Sequence, residues 1–351
     1  MLHARLLVLA VVACSSPAPP RPSVPNDAAD ARVADASGSR RWFAGDIHMH
    51  VAPPDDASEV RMGIAEVANS AREAKLDFVV LTPHLWPGRR GAAFDREWRA
   101  LATTARETRA PIMIPGAEWT TPLGHFTVAG IDITQVGKDF LASAHELGAF
   151  ISVNHPFAVP TKLPAIRASH FDMSYRAWTG NAAAAPIDGV EVFNVPLALA
   201  NLISRPGGKT GEERAWLEAD RLAREQRHRL TAVGGTDNHA FHVVATTWVF
   251  AYEATESAIL EALRAGATCI GGPEAGSFRA TGDGGISARI GEIVSAAHTI
   301  TLAWDGLAQL FIDGIDVGEH LGGFVAATAG LPHTYRIVVG ASRSGFIYSN
   351  L

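Results

Sequence analysis

Residues 43–50, Phe43-Ala44-Gly45-Asp46-Ile47-His48-Met49-His50, decide how the rest of the chain is read. The run Trp42–Ile47 is short and β-rich, so it predicts a strand, and that strand runs straight into a His-x-His pair. Side chains alternate along an extended segment, which puts His48 and His50 on one side, where both can reach one ion. His-x-His also occurs by chance. Its meaning depends on what ends the other strands.

Outward from this stretch, Arg41 to about Thr268 alternates short β-rich runs with helical patterns, the signature of βα units and a mostly parallel sheet. The predicted strands are Trp42–Ile47, Phe78–Leu81, Ile112–Ile114, Phe126–Ala129, Phe150–Val153, Gly189–Phe193, Leu230–Val233 and Thr246–Phe250. The predicted helices are Ser58–Lys75, with Ser58 as N-cap, then Phe94–Thr108, Phe140–Gly148, Glu212–Gln226 and Ser257–Ala265. In α/β sheets the chemistry gathers at the carboxyl ends of strands. Here those ends carry His48 and His50, then Thr82-Pro83-His84, Pro115-Gly116-Ala117-Glu118, Asn154-His155-Pro156 and Gly235-Thr236-Asp237-Asn238-His239, while His125 opens the fourth strand. Six of the 14 histidines thus sit at strand ends, a side that structural histidines have no reason to choose repeatedly.

With Asp55, the set His48, His50, His84, Glu118, His125, His155, Asp237 and His239 combines nitrogen and hard oxygen donors suited to Zn²⁺, Mn²⁺ or Fe²⁺. Several such ions, bridged by a carboxylate and a hydroxide, make hydrolytic machinery, because they acidify water and neutralise developing charge. Asp46, Glu191 and Asn194 also lie near strand ends, where either a ligand-orienting role or a solvated or structural one fits the sequence. Arg89, Arg90, Arg205 and Lys209 are the candidates for anion recognition, against the plainer reading of charged surface loops. Composition narrows the classes further. The 351 residues hold 30 basic against 36 acidic side chains, net charge −6, so no nucleic-acid partner is expected. Two cysteines exclude a disulfide scaffold and a Cys₄ zinc site.

The ordered motifs GDIHMH, LTPH, GAEW, GHF, VNHP, DGVEVFN and GGTDNH, from about Phe43 to His239, resemble the PHP (polymerase and histidinol phosphatase) superfamily of metal-dependent phosphoesterases. The following TWVFA and AILEALRAGATCIGG are similar to its secreted branch, which includes carbaryl-hydrolase-like (CehA/McbA-type) metallohydrolases. The resemblance implies a distorted (β/α)7 barrel with two or three divalent metal ions. By it, His48 and His50 form the first pair with Asp237, Glu118 bridges, His125 and His155 share the second ion, and Asp55, His84 and His239 form a third position. Glu118, Asp237 and His239 are then the catalytic residues, and the substrate is a small-molecule ester, foremost a phosphoester cleaved by a metal-bridging hydroxide. A carbamate, ester or amide hydrolase on the same scaffold is the alternative, and a non-catalytic metal- or ligand-binding lipoprotein is a third reading. Two departures stand out. Pro83 replaces the aspartate of the usual TDH, and Pro53-Pro54-Asp55-Asp56 stands where SDG is usual, which leaves Asp55 or Asp56 as the ligand.

At the other end, Arg5, the apolar run Leu6–Ala13 and Cys14 resemble a lipoprotein signal and lipobox (1–14), too short to span a bilayer. This implies membrane attachment through lipid on Cys14 and a place in the cell envelope, with simple secretion as the alternative. Residues 15–41, rich in Pro, Ala, Ser and Asp, read as a flexible tether. Residues 42–272 form the barrel region. After Gly272 the helical period disappears, and Thr299–Trp304, Ala308–Ile312 and Tyr335–Val339, with a turn at Asp313-Gly314, predict a small antiparallel β domain over 273–351. Cys269 reads as a buried, inert thiol.

Overall fold

The computed structural model describes residues 40–121, 124–157, 186–196, 198, 211–239, 244 and 246–351. Cys14, the tether up to residue 39, Arg205 and Lys209 lie outside the described residues, and Arg41, expected as the end of the tether, instead opens the first strand. The fold is mixed α/β around one large sheet. Strand β1 (Arg41–Met49) is buried from Phe43 onward and is flanked by parallel β2 (Phe78–Leu81) and antiparallel β9 (Thr247–Ala251). Next to β2 comes β4 (Ile112–Thr121), whose second half also pairs with the short β3 (His84–Leu85). Beyond it follow β5 (Gly124–Ala129), β6 (Phe150–Asn154), β7 (Gly189–Asn194) and β8 (Thr231–Gly235). Among the described residues five α-helices accompany the sheet: α1 (Ile64–Glu73), α2 (Ala92–Glu107), α3 (Phe140–Glu146), α4 (Gly211–Gln226) and α5 (Glu256–Arg264).

A regular (β/α)7 repeat is not what these strands build. Only Pro122 and Leu123 separate β4 from β5, too few residues for a crossover, so the two form a hairpin, and β5 runs antiparallel to β6 as well. Among the described residues no ladder joins β8 to β1; a single parallel bridge, Met49 to Asn238, links their continuations.

Helix α1 starts at Ile64 instead of Ser58. The Ser58 N–H donates to the Asp56 carboxylate (2.8 Å), and the Glu59 and Val60 N–H groups donate to the Asp56 carbonyl, so this stretch closes a turn. The Arg61 N–H then donates to the His239 carbonyl (2.8 Å), which lays residues 51–62 across the strand ends. The helix begins beyond this loop, with the Gly63 N–H donating to the Glu66 carboxylate (2.6 Å).

The carboxy-terminal strands extend the same sheet, because β10 (Thr268–Ile270) pairs with β9 on one side and β17 (Ser342–Ser344) on the other. The runs expected at Thr299–Trp304 and Ala308–Ile312 are one strand, β14 (Thr299–Ile312), with a register irregularity between Ala303 and Leu307. It turns at Asp313-Gly314, both at positive φ, into β15 (Ile315–Ala327), a strand that the sequence reading misses. β14 also pairs with β11 (Arg279–Gly282) and β16 (His333–Val339). Beyond β11 lie β12 (Ser287–Arg289) and β13 (Ile293–Val294); β18 (Ile347–Ser349) pairs with β13 and β16. Buried Tyr348 of β18 locks this part to the main sheet, its hydroxyl donating to the Leu230 carbonyl (2.6 Å). Cys269 is free and buried, and burial pushes its thiol up, out of the reactive range.

Candidate metal centre

Strand β1 delivers His48 and His50 to one side, while Met49 between them packs into the core with Val51, Val67 and Leu81. Both imidazoles are fully buried. Asp46, one pleat earlier, accepts from the His48 N–H (3.1 Å) and the Thr236 N–H (3.0 Å), and the Asp237 N–H donates to the His48 carbonyl (2.8 Å). The loop after β8 is thereby fixed against the His-x-His strand, in a backbone conformation that puts Asp237 at φ 49°. Gly235 makes the approach possible: a Cβ there would lie 2.2 Å from the His48 Cβ and 2.4 Å from Glu191 Oε1.

Glu118, on β4 opposite His84 of β3, is the hub. Its Oε1 lies 3.2 Å from His48 Nε2, 3.1 Å from His125 Nδ1 and 3.3 Å from His155 Nε2, and Oε2 lies 3.7 Å from His50 Nε2 and 3.6 Å from His84 Nε2. Asp237 Oδ1 adds contacts at 3.1 Å to His50 Nε2 and 3.6 Å to His48 Nε2. A common pattern governs three of these rings. His48 Nδ1 faces Glu191 Oε1 (3.1 Å), and the Nδ1 atoms of His50 and His84 face Asp55 (3.2 Å each). A carboxylate behind Nδ1 places the ring proton there and turns the basic Nε2 inward, as metal-bound imidazoles require.

Among the described residues three trios each bring their ligand atoms within 4.8 Å of one another: His48, His50 and Asp237; His48, Glu118 and His155; His50, His84 and His239. His48 and His50 are each shared, so the trios form one continuous cluster. His125 and Asp55 stand beside the trios, the first on Glu118 and the second behind His50 and His84. Asp55, not Asp56, enters the cluster. It is buried and accepts from the His84 N–H (2.8 Å) and Arg89 Nη1 (3.1 Å), whereas Asp56 is exposed and turned onto Ser58.

Burial alone would raise the carboxyls of Asp55, Glu118 and Asp237, but the surrounding imidazoles outweigh it and hold all three below the ordinary range. Burial works against charge on His48, His50 and His155 too; there the carboxylates win, and His50 rises to about 9. His239 goes the other way. Burial and the neighbouring His50 push it down to about 4, so it is neutral at pH 7. The donor set suits divalent metal. His48 Nε2 is buried without a hydrogen-bond partner although two carboxylates stand nearby, and only a proton or a metal cation makes that approach favourable.

Glu191 also accepts from the His155 N–H (2.7 Å), and Asn194 donates to Glu191 (3.2 Å) and approaches Asp237 Oδ2 (3.4 Å). Sequence reasoning missed Asn154, which donates to Glu118 Oε1 (2.9 Å); its only signal is its place beside His155 at the end of β6. The two described arginines expected to bind anions are otherwise engaged. Arg89 also donates to the carbonyls of His84 (2.8 Å) and Pro54, and Arg90 to those of Gly137 (2.9 Å) and Val136 (2.6 Å). Away from the cluster, His333 joins Asp313 to the Thr328 carbonyl, a structural role.

No protein-family model and no curated protein matches the chain. Among solved structures, it is similar to a two-domain protein containing a predicted PHP-like metal-dependent phosphoesterase from Bacteroides vulgatus, at 18% identity and TM-score 0.42, over 88% of this chain and 87% of that one. It is also similar to an amidohydrolase from Chromobacterium violaceum with bound sulfate, at 15% identity and TM-score 0.36, over 57% and 89%.

Proposed function

We propose that the chain is a metal-dependent hydrolase acting on a small-molecule ester, foremost a phosphoester, at a two- or three-metal site. The observation that carries this is the single cluster of three overlapping trios, with carboxylates orienting the imidazoles from behind. Divalent ions there (Zn, Mn or Fe) would polarise the scissile group and lower the pKa of a coordinated water. The residues of the chain do the rest. Glu118 joins the trios, Asp55 and Glu191 fix ring orientation, and Asn154 and Asn194 hold the carboxylates. The side chains of His84, His125 and His239 are 19%, 13% and 36% exposed, whereas His48, His50 and His155 are fully buried, so substrate enters from the first three. His239 Nδ1 faces the Asp237 carbonyl (3.0 Å), which places the ring proton on Nδ1 and leaves Nε2 a free lone pair, able to ligate or to accept a proton.

The same reading includes a distorted seven-stranded barrel. The ladder order β1, β2, β4, β5, β6, β7, β8, with Asp237 and His50 backbone N–H groups bonding between the loop after β8 and the end of β1, supports it. It also includes a lipid on Cys14 and an envelope location, supported by the VVAC sequence alone and tested by the mass of the mature amino-terminal peptide.

A second reading, carbamate, ester or amide hydrolysis, is favoured by one observation: Arg89 and Arg90 give their donors to Asp55 and to backbone carbonyls, which leaves them unsuited to grip a phosphate dianion. Metal analysis of purified protein, with p-nitrophenyl phosphate, bis-p-nitrophenyl phosphate, an aryl ester and an aryl carbamate assayed together, tests both. The expected result is at least two bound transition-metal ions and a phosphoesterase activity lost with the metal on chelation and in His48→Ala. Full activity in metal-free protein overturns the proposal, and turnover of the carbamate or ester alone selects the second reading.

A further inference from the structure

A cavity of about 820 Å³ opens between α4 and the strands β14, β16 and β17, and none of its lining residues belongs to the metal cluster. This volume falls in the range of small-molecule sites, roughly 300–1,000 Å³. Its walls include Trp216 and Leu217 of α4, Phe311 of β14, and Arg336 and Val338 of β16, with Arg343 of β17 beside them.

Arg336 is the anomaly. Its side chain is 8% exposed, yet the guanidinium makes no hydrogen bond to any described residue. It is held by ring faces, 3.8 Å from the centroid of Phe311 and 4.7 Å from that of Trp216. The nearest carboxylate oxygen, Asp220 Oδ2, stands 3.9 Å from its Nε, and both atoms are buried without a hydrogen-bond partner. Asp220 instead accepts from the Thr334 hydroxyl through its other oxygen (2.5 Å). Asp220 balances the charge at 3.9 Å, but a guanidinium carries five N–H donors, and neither that distance nor stacking on aromatic rings gives them an acceptor. Arg343 is similarly underused: its hydrogen bond is a long one, 3.5 Å to the Ala341 carbonyl.

The other charged walls define the anion. Asp313 accepts from the Thr334 N–H (2.9 Å) and pairs with His333 (2.7 Å); Asp316 accepts from the Gly318 N–H (2.9 Å) and from Gln309. With Glu213 these make three carboxylates around two arginines, a field that repels polyanions. We propose that the cavity is a second ligand site, independent of the metal centre, for a small organic monocarboxylate. Its carboxylate occupies the fork of Arg336 with Arg343 alongside, and its apolar body lies against Phe311, Val338 and Leu217. A bidentate pair between guanidinium and carboxylate is the geometry that the stacked Arg336 has left to make.

The test is saturation-transfer NMR and calorimetry on the full chain with phenylacetate, against inorganic phosphate and benzylamine. Carboxylates also bind metals, so each titration is repeated on chelated protein and on His48→Ala. The expected result is transfer to the phenylacetate ring, unchanged by chelation and by His48→Ala, and weakened roughly tenfold or more in Arg336→Met and in Arg343→Gln. Absence of transfer overturns the proposal, as does binding abolished by chelation or retained in both variants. Displacement of phenylacetate by phosphate at equal concentration overturns the ligand class. If Arg336→Met does not fold, Arg343→Gln, on a partly exposed residue, and the wild-type competition series decide the matter.

Discussion

The Arg89 guanidinium donates to Asp55 Oδ1 at 3.1 Å, and through that carboxylate it holds the imidazoles of His50 and His84, both 3.2 Å away at Nδ1. Arg89 is itself placed by stacking on Trp86 (4.8 Å) and by donating to the carbonyls of His84 and Pro54. It therefore ties the loop carrying Asp55 to the strand end carrying His84. Arg89→Met keeps the stacking stem and removes the donors. Groups that orient metal ligands typically matter by about 10–100-fold in affinity or activity. We expect that range of loss in hydrolytic rate and a fall in bound metal per chain by plasma mass spectrometry, with partial recovery in Arg89→Lys. Unchanged metal retention would contradict this role.

Gly235→Ala tests the approach of β8 to β1. The added methyl has no room, since its nearest neighbours are the His48 Cβ and the Glu191 carboxylate, at 2.2 and 2.4 Å. Overpacking of a buried site costs about 1–3 kcal/mol. A lower melting temperature by calorimetry is expected together with metal loss, because the displaced atoms belong to a candidate ligand and to the carboxylate behind it. A variant as stable and as metal-loaded as the wild type would show that the strands have slack.

Much of this was legible in the sequence, and the limits are physical. The His-x-His face of β1 and the donors at successive strand ends follow from period-two alternation and from local strand patterns, so they can be read without the fold. The choice between Asp55 and Asp56 cannot, because it depends on Arg61 reaching the His239 carbonyl and on Arg89 reaching Asp55, contacts between distant segments. The same loop delayed α1 by six residues from the expected start at Ser58 to Ile64. β15 escaped because Leu321 and Val325 are exposed and only Ala326 is buried, which leaves little regular alternation to read. Nothing local marks Asp220 and Arg336 as buried neighbours, since α4 and β16 meet only in the fold.

Glu118→Gln separates the hub from its rim. The substitution keeps shape but removes the charge that stands between 3.1 and 3.7 Å from five imidazoles, those of His48, His50, His84, His125 and His155. His239→Ala removes a partly exposed group at the edge of the cluster. Metal analysis should show a larger loss for Glu118→Gln than for His239→Ala, with hydrolysis reduced roughly 10–100-fold in the former. The reverse order would move the centre of the site toward His239.

Asp220 makes a prediction about stability against pH that is separate from the metal centre. Burial raises its carboxyl from 3.8 to about 6, against the opposing effects of Arg336 and the Thr334 hydroxyl. A carboxyl with a raised pKa in the folded state holds its proton more tightly there than in the unfolded chain. Its contribution to stability is therefore fully present below about pH 4 and is lost as pH rises through about 6. The shift corresponds to about 3 kcal/mol at most. Asp220→Asn cannot ionise, yet its amide oxygen can still accept from Thr334. Loss of the charge opposite Arg336 is a constant offset over this range, because that guanidinium stays protonated with its pKa lowered only to about 10. The melting temperature of Asp220→Asn relative to wild type should thus climb by a few degrees between pH 4.5 and pH 7 and then level off. Calorimetry on metal-free protein at both pH values checks this without interference from the cluster. A difference that stays flat across the range would mean that Asp220 is ionised in the native protein at pH 4.5.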